Sequence, residues 1–372
     1  MTTTRPIEWL SIKGFKSIRN LERLRLGQIN LLIGANGAGK SNFVSYFYMM
    51  KELIEGRLQN WTRIQGSADR IVSFGVKETK RFEACVEFGS IGYKFVLEPA
   101  VDGGFAFSSE HVFSNDPTAS PQSIPFGAGV ETKLPKPSSE MEAMLLPKYI
   151  EDVRFSISNW KIFHFHDTSD TSGVKRIGSV QDNDYLRPDA SNLAAYLYRL
   201  QRESPDVYEQ IRQTIQLAMP FFDDFVLKPQ KLPTEEEQIR LLWRQKNSDY
   251  SLWPSQLSDG SVRFICLVTA LLQPDPPSTI IIDEPELGLH PYAIALLASL
   301  LRSASKRMQI VVSTQSVSLV NEFSIDDLIV VEREHEATVF KRKSEKDFEA
   351  WLEDYSVGEL WEKNILGGRP GE

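Results

Sequence analysis

Residues 29–41 read INLLIGANGAGKS. The apolar run INLLIG has strand character, and NFVSYFYMMKELIEG after it carries apolar residues at helical spacing. The glycine-rich segment therefore turns a strand into a helix. In that context Gly34, Ala35, Asn36, Gly37, Ala38, Gly39, Lys40 and Ser41 match the Walker A pattern in full, with Asn42 following. Glycines let backbone N–H groups wrap phosphates, Lys40 reaches the β- and γ-phosphates, and Ser41 offers a hydroxyl to Mg²⁺. ATP and Mg²⁺ are the expected cofactors.

Upstream of the loop, IEWLSIKGF and LERLRL alternate as strands do. Downstream, short alternating segments from Arg81 to Ser114, among them RFEACVEF and YKFVLEP, predict an antiparallel meander. Residues 115–140, rich in Pro, Ser, Gly and Thr, predict a long surface loop. A strand over 160–167, WKIFHFHD, precedes two helices, SNLAAYLYRLQRE and VYEQIRQTIQLAM. After LSDGSVRF the pattern becomes helix, PDPP break, TIIIDEPE, the helix AIALLASLLRSASKR, then QIVVSTQS, LIVVERE and ATVFKRK. Strands alternating with helices imply a largely parallel sheet covered on both faces. FEAWLEDY and GELWEKN predict two short terminal helices with a glycine stop.

Two further sites carry chemistry. Ile280–Glu284, IIIDE, ends a buried strand in two carboxylates, of which Asp283 would hold Mg²⁺ beside Ser41 and Glu284 would polarise the attacking water. Ser258, Asp259, Gly260 and Ser261 directly precede the apolar run FICLVTALL, so they form a helix start, where unpaired N–H groups and the dipole favour an anion. A chain that already carries one phosphate loop has no evident use for a second.

Taken together and in order, GFKS, GANGAGKSN, LSDGSVRF, IIIDEPELGLHP and VVSTQS resemble the RecF/SMC/OLD group of ATP-binding-cassette ATPases over nearly the whole chain. The resemblance implies an α/β P-loop NTPase fold of the ABC-ATPase head type: a parallel-sheet core with an antiparallel β subdomain and a helical lobe. It divides the chain into a head over 1–345, with lobe I mainly 1–110 and 275–345, an inserted loop and helical lobe II over 111–274, and a C-terminal helical extension over 346–372. LSDG takes the place of the cassette signature, which in this group closes on the γ-phosphate held by a partner head. That implies an ATP-dependent homodimer with Ser258, Asp259, Gly260 and Ser261 acting in trans. ELGLHP takes the place of the D-loop, and Lys16 and Ser17 match a loop near the nucleotide base. Glu284, Lys40 and Gln315 form the implied catalytic set, and Gln65 in TRIQGSADR joins Ser41 and Asp283 at the metal. Gln315 departs from the histidine of many members, and Asp259 from a second glycine. An amide cannot carry a proton charge, and a carboxylate should point away from phosphate.

The same resemblance implies a nucleotide switch in bacterial anti-phage defence acting with a separately encoded effector or nuclease, since the chain stops too soon for a fused TOPRIM domain. A RecF-like genome-maintenance ATPase clamping DNA, and a non-catalytic ATP-dependent scaffold, are the alternatives. The GFKS start and the late signature count against a transporter motor.

Composition agrees with a globular protein. The 372 residues carry 41% hydrophobic content and a net charge of −8, so DNA contact needs a local patch. Lys13, Lys16, Arg19, Arg23 and Arg25 against the single acid Glu22 supply one. No apolar run reaches the roughly 18 residues of a membrane span, and no signal-peptide block is present, which predicts a cytoplasmic protein without membrane contact. Cys85 and Cys266 lie in apolar contexts and predict buried, reduced thiols. His164 and His166 share a face beside Asp167, but with no third and fourth ligand in view a metal site is not expected there. Leu360, Trp351 and Trp361 on the terminal helices predict packing residues.

Overall fold

Period-two alternation at the N-terminus gives β1 (Trp9–Phe15), and after a two-residue turn β2 (Ile18–Arg25) pairs back on it antiparallel. The computed structural model describes residues 4–116, 121–134, 147–234 and 236–368. β4 (Phe82–Phe88), β5 (Ile91–Pro99), β6 (Phe105–Ser114) and β7 (Gln122–Pro125) continue from β1 into one antiparallel sheet of order β2-β1-β4-β5-β6-β7. A second six-stranded sheet contains β3 (Ile29–Ile33), β8 (Lys161–Phe163), β15 (Thr279–Asp283), β16 (Gln309–Thr314), β17 (Leu328–Glu334) and β18 (Ala337–Arg342), in the order β18-β17-β3-β16-β15-β8. Every pairing in it is parallel except the edge hairpin β17–β18.

The parallel strands are apolar without interruption because both faces are covered. Leu31, Ile33, Ile280, Ile282, Ile310, Val312, Leu328 and Val330 face one core, and Leu32, Ile281, Val311, Ile329 and Val331 face the other. Helix α1 (Lys40–Ile54) lies in the second core with residues of both sheets, burying Phe43, Val44, Tyr46, Phe47, Met49 and Met50. Short helices α2 (Leu58–Ile64) and α3 (Ala68–Ile71) follow it, and α4 (Lys148–Ser158) joins the same core.

The first core is completed by α5 (Leu193–Glu203), α6 (Pro205–Ala218), α7 (Asp259–Leu272), α8 (Pro291–Ala304), α9 (Val317–Val320) and the terminal α11 (Val357–Glu362), with α10 (Glu349–Leu352) beside them. Two small sheets decorate the helical part: β9 (Gly178–Ser179) with β11 (Gln230–Lys231) and β12 (Glu237–Ile239), and β10 (Phe222–Val226) with β13 (Leu242–Gln245) and β14 (Ser251–Leu252).

Three expectations need correction. The stretch 115–140 is not all loop, because β7 pairs with β6; residues 117–120 and 135–140 lie outside the described residues. The expected insertion over 111–274 is narrower, since β7, α4 and β8 return the chain to the two main sheets before the helical part begins. The strand expected over 160–167 stops at Phe163. Beyond it the His164 N–H bonds Pro188 O at 3.0 Å, and Arg263 takes the carbonyls of Phe165 and His166, so a side chain and a loop replace the ladder. Cys266 is buried, and burial pushes its thiol up to about 12, whereas Cys85 is only partly buried.

Candidate active site

The phosphate loop follows β3 at the carboxyl end of the parallel sheet, and long-range contacts set its shape. Gly34 (φ +157°) and Gly39 (φ +113°) are required: a Cβ at Gly34 would collide with Val331 O, and one at Gly39 with the Thr338 hydroxyl. Thr338 Oγ1 donates to Ala38 O at 2.8 Å and lies 2.7 Å from Ser17 Oγ, while Asn42 Nδ2 donates to Ser17 Oγ at 2.6 Å. Lys16 Nζ bonds Ser45 Oγ at 2.6 Å. Lys16 and Ser17 are thus joined to the first turns of α1. From the C-terminal segment, Gly368 O accepts the Ala35 N–H at 2.8 Å, and Gly368 N–H bonds Glu332.

Lys40 is buried, and its ammonium bonds Gly34 O at 2.6 Å and Ala35 O at 3.1 Å. Burial pulls its pKa below the ordinary lysine value, and the nearby Glu284, Asp283 and Glu286 oppose the shift. Ser41 is exposed and makes no side-chain hydrogen bond among the described residues.

Two strands away, Asp283 ends β15. Ser313 Oγ donates to Asp283 Oδ1. Glu284 sits in the left-handed region (φ +44°), held by its N–H to Ser313 O at 2.9 Å, and its carboxylate accepts from the Gln315 amide. Glu286, which motif reading left without a role of its own, accepts from Thr314 Oγ1 at 2.6 Å and from Gln315 N–H at 3.0 Å. Among the described residues its other oxygen is buried without a partner, and burial raises its pKa. Glu286 therefore orients the backbone that carries Gln315.

The turn before α7 lies apart from these groups. Ser258 caps the helix, its Oγ accepting from Ser261 N–H at 3.1 Å and lying 2.9 Å from Ser261 Oγ. That N–H, expected open to an anion, is occupied by its own cap. Gly260 packs on Gly288 O, where a Cβ would not fit. Asp259 Oδ1 lies 3.5 Å from Lys175 Nζ. Arg263, one turn further, holds Leu287 O, Phe165 O and His166 O, tying α7 to the segment after β15 and to that after β8.

No curated protein matches the sequence. The family described as "AAA domain, putative AbiEii toxin, Type IV TA system" matches residues 150–321. Among solved structures, an SMC head bound to the C-winged helix domain of ScpA is 15% identical, with a TM-score of 0.60 over 92% of this chain and 99% of that one. An SMC head with an extended coiled coil, bound to the C-terminal domain of ScpA derived from Pyrococcus furiosus, is 15% identical, with a TM-score of 0.53 over 94% and 99%. The fold is that of an SMC-type ABC-ATPase head.

Gln65, assigned to the metal from the sequence, is the C-cap of α2, its backbone N–H directed to Trp61 O and Arg63 O. The groups beside Asp283 are His164 and His166, which the sequence set aside because the strand that brings them there is distant in the chain. His166 Nε2 lies 3.1 Å from Asp283 O, and His164 Nδ1 lies 4.0 Å from Asp283 Oδ2. The N-terminal cations are mostly engaged: Lys13 with Glu22 at 2.7 Å, Arg19 with Glu78 at 2.9 Å, Arg23 with Glu87 at 3.3 Å. Leu360 and Trp361 are buried and Trp351 is exposed. Among the described residues no helix is long and apolar enough to cross a membrane.

Proposed function

We propose that this chain is a Mg²⁺-dependent ATPase that dimerises head to tail on ATP and serves as a nucleotide switch. The observation that carries the reading is the convergence of Lys40, Asp283 and Glu284 at the carboxyl ends of β3 and β15, close enough for the two acids to act on the lysine's charge. Phosphates bound in the loop would replace the Gly34 and Ala35 carbonyls as partners of Lys40, and their charge would favour its protonated form. Ser41 Oγ and Asp283 Oδ2 are the oxygens fitted to hold Mg²⁺: the first is exposed, and the second is not the oxygen that Ser313 engages. Bound there, the ion neutralises charge on the β- and γ-phosphates. Glu284, aimed by Gln315, accepts a hydrogen bond from the attacking water, and Ser258 of the facing copy would complete the shell around the γ-phosphate. Lys16 and Ser17 would lie near the base.

The biological role we propose is bacterial anti-phage defence with a separate effector. The matched family's description names a toxin–antitoxin system, and the similar SMC heads carry a bound protein partner. Pairing of the N-terminal cations weighs against that surface as a DNA clamp.

Glu284→Gln should bind ATP normally and hydrolyse it about 10²- to 10⁴-fold more slowly, whereas Lys40→Ala should lose binding. A wild-type rate in Glu284→Gln removes that residue as the water-orienting group, and absence of ATP binding by the native chain removes the ATPase reading. Plaque counts on cells carrying the native gene neighbourhood test the role. Protection lost with Lys40→Ala supports it, and equal plaque counts with and without the gene overturn it.

A further inference from the structure

His164 and His166 have no part in the ATP chemistry above, yet both stand at its metal ligand. β8 pairs with β15 in parallel, Phe163 opposite Ile282, so the next residues emerge beside Asp283. Phe165 turns into the core and stacks on Phe163. Its two neighbours therefore project together on the other side, with rings parallel and 4.0 Å apart between centroids. One ligand atom from each of His164, His166 and Asp283 lies within 4.8 Å of the other two.

We propose that His164, His166 and Asp283 form a divalent-cation site that prefers a first-row transition metal, Mn²⁺ as the probe, over Mg²⁺. The proposal rests on the nucleotide-site reading only in sharing Asp283 with it.

Two features support it. A metal-binding histidine ordinarily donates its second ring N–H to a carbonyl or carboxylate, which fixes the ring and its tautomer. His166 does so: a carbonyl oxygen can only accept, so the 3.1 Å contact from Nε2 to Asp283 O puts the proton on Nε2 and leaves the Nδ1 lone pair for a ligand. The backbone beneath is pinned, by Arg263 at Phe165 O and His166 O and by the His164 N–H to Pro188 O, so the rings start from a fixed base.

Ligand chemistry gives the preference. Mg²⁺ takes oxygen ligands and parts with water reluctantly, while imidazole suits the first-row transition ions. Bonds of about 2.1 Å hold two ligands at most about 4.2 Å apart, so a small rotation of the exposed His164 ring closes the set. Two nitrogens and one carboxylate oxygen leave coordination positions for water or phosphate oxygens.

Mn²⁺ binding to the nucleotide-free full chain, followed by electron paramagnetic resonance of the free ion, tests the site. One Mn²⁺ per chain should bind and resist a tenfold excess of Mg²⁺. His164→Ala and His166→Ala should each weaken it about 10- to 100-fold. His164→Gln, at a half-exposed position that leaves folding unaffected, should weaken it likewise. Release of Mn²⁺ by equimolar Mg²⁺, no binding to the native chain, or unchanged binding in the double His164→Ala/His166→Ala variant would each overturn the proposal. Binding of a fluorescent ATP analogue in the presence of Mg²⁺ is measured in parallel. Its loss in the native chain counts against the ATPase reading and leaves the metal result standing.

Discussion

The phosphate loop and the signature turn each open a long helix, and they are built in opposite ways. Helix α1 starts at Gly39 with no side-chain cap, and its loop takes its shape from residues elsewhere in the chain: Thr338, Ser17, Val331 and Gly368. Helix α7 starts at Ser258 with a cap supplied by that residue itself, and the turn is exposed. An uncapped helix start keeps its amides for a ligand, and a clamped loop has already lost the conformational freedom that binding would otherwise remove. A self-capped turn on the surface needs no ligand to be satisfied, so it suits a face that meets its phosphate only when another molecule brings one.

The contrast breaks most visibly at Ser258. Ser258→Arg should leave ATP binding by the isolated chain within about twofold while hydrolysis falls by about 10²-fold or more, the scale on which a transition-state hydrogen-bond donor acts. Mixing it with Lys40→Ala restores one composite site per mixed dimer. Recovered turnover in the mixture, measured as phosphate release, is the expected result, and wild-type turnover by Ser258→Arg alone ends the idea of a site in trans.

Thr338→Val sharpens the other half. The hydroxyl donates to Ala38 O and accepts from Ser17, so its loss leaves the Ala38 carbonyl and the Ser17 hydroxyl without that partner and should cost about 1–3 kcal/mol in urea unfolding. ATP affinity should weaken several-fold with it. Ser258→Ala should cost about 1 kcal/mol as a lost helix cap and leave ATP affinity unchanged. Equal affinity losses in the two variants would show that the regions do not differ as described.

What the sequence made legible follows from the same contrast. INLLIGANGAGKS could be read because strand, turn and helix are local, and the apolar runs of β15 and β16 could be read because both sheet faces are buried. The order of strands is not local. That β8 lies against β15 decides that His164 and His166 reach Asp283, and no spacing along the chain records it. Thr338 looked like an ordinary strand residue for the same reason. The inserted segment was drawn wide because β7 is an edge strand of four residues, too short to show a period, and because no spacing says which sheet the strand beginning at Lys161 joins.

The smallest effect concerns Glu286. Burial raises its pKa, so the folded protein binds that proton more tightly than the unfolded chain does. Its contribution to stability is complete below the ordinary glutamate range and is lost as pH rises through the folded value. Glu286→Gln keeps an acceptor for Thr314 and Gln315 but has no charge to bury. Its melting temperature relative to the native chain should therefore climb between pH 4 and pH 8. A constant difference over that range would show that the carboxylate is not strained by its surroundings.

The clamp on the phosphate loop also fixes when the loop can be finished during synthesis. Thr338 bonds Ala38 across 300 positions, and Gly368 reaches Ala35 from further still. At about 5–20 residues per second, roughly 15–60 s separate emergence of the loop from that of the threonine that shapes it. Throughout that interval the nascent chain holds a Walker A sequence without its clamp, so tight nucleotide binding begins only after the last strands leave the ribosome.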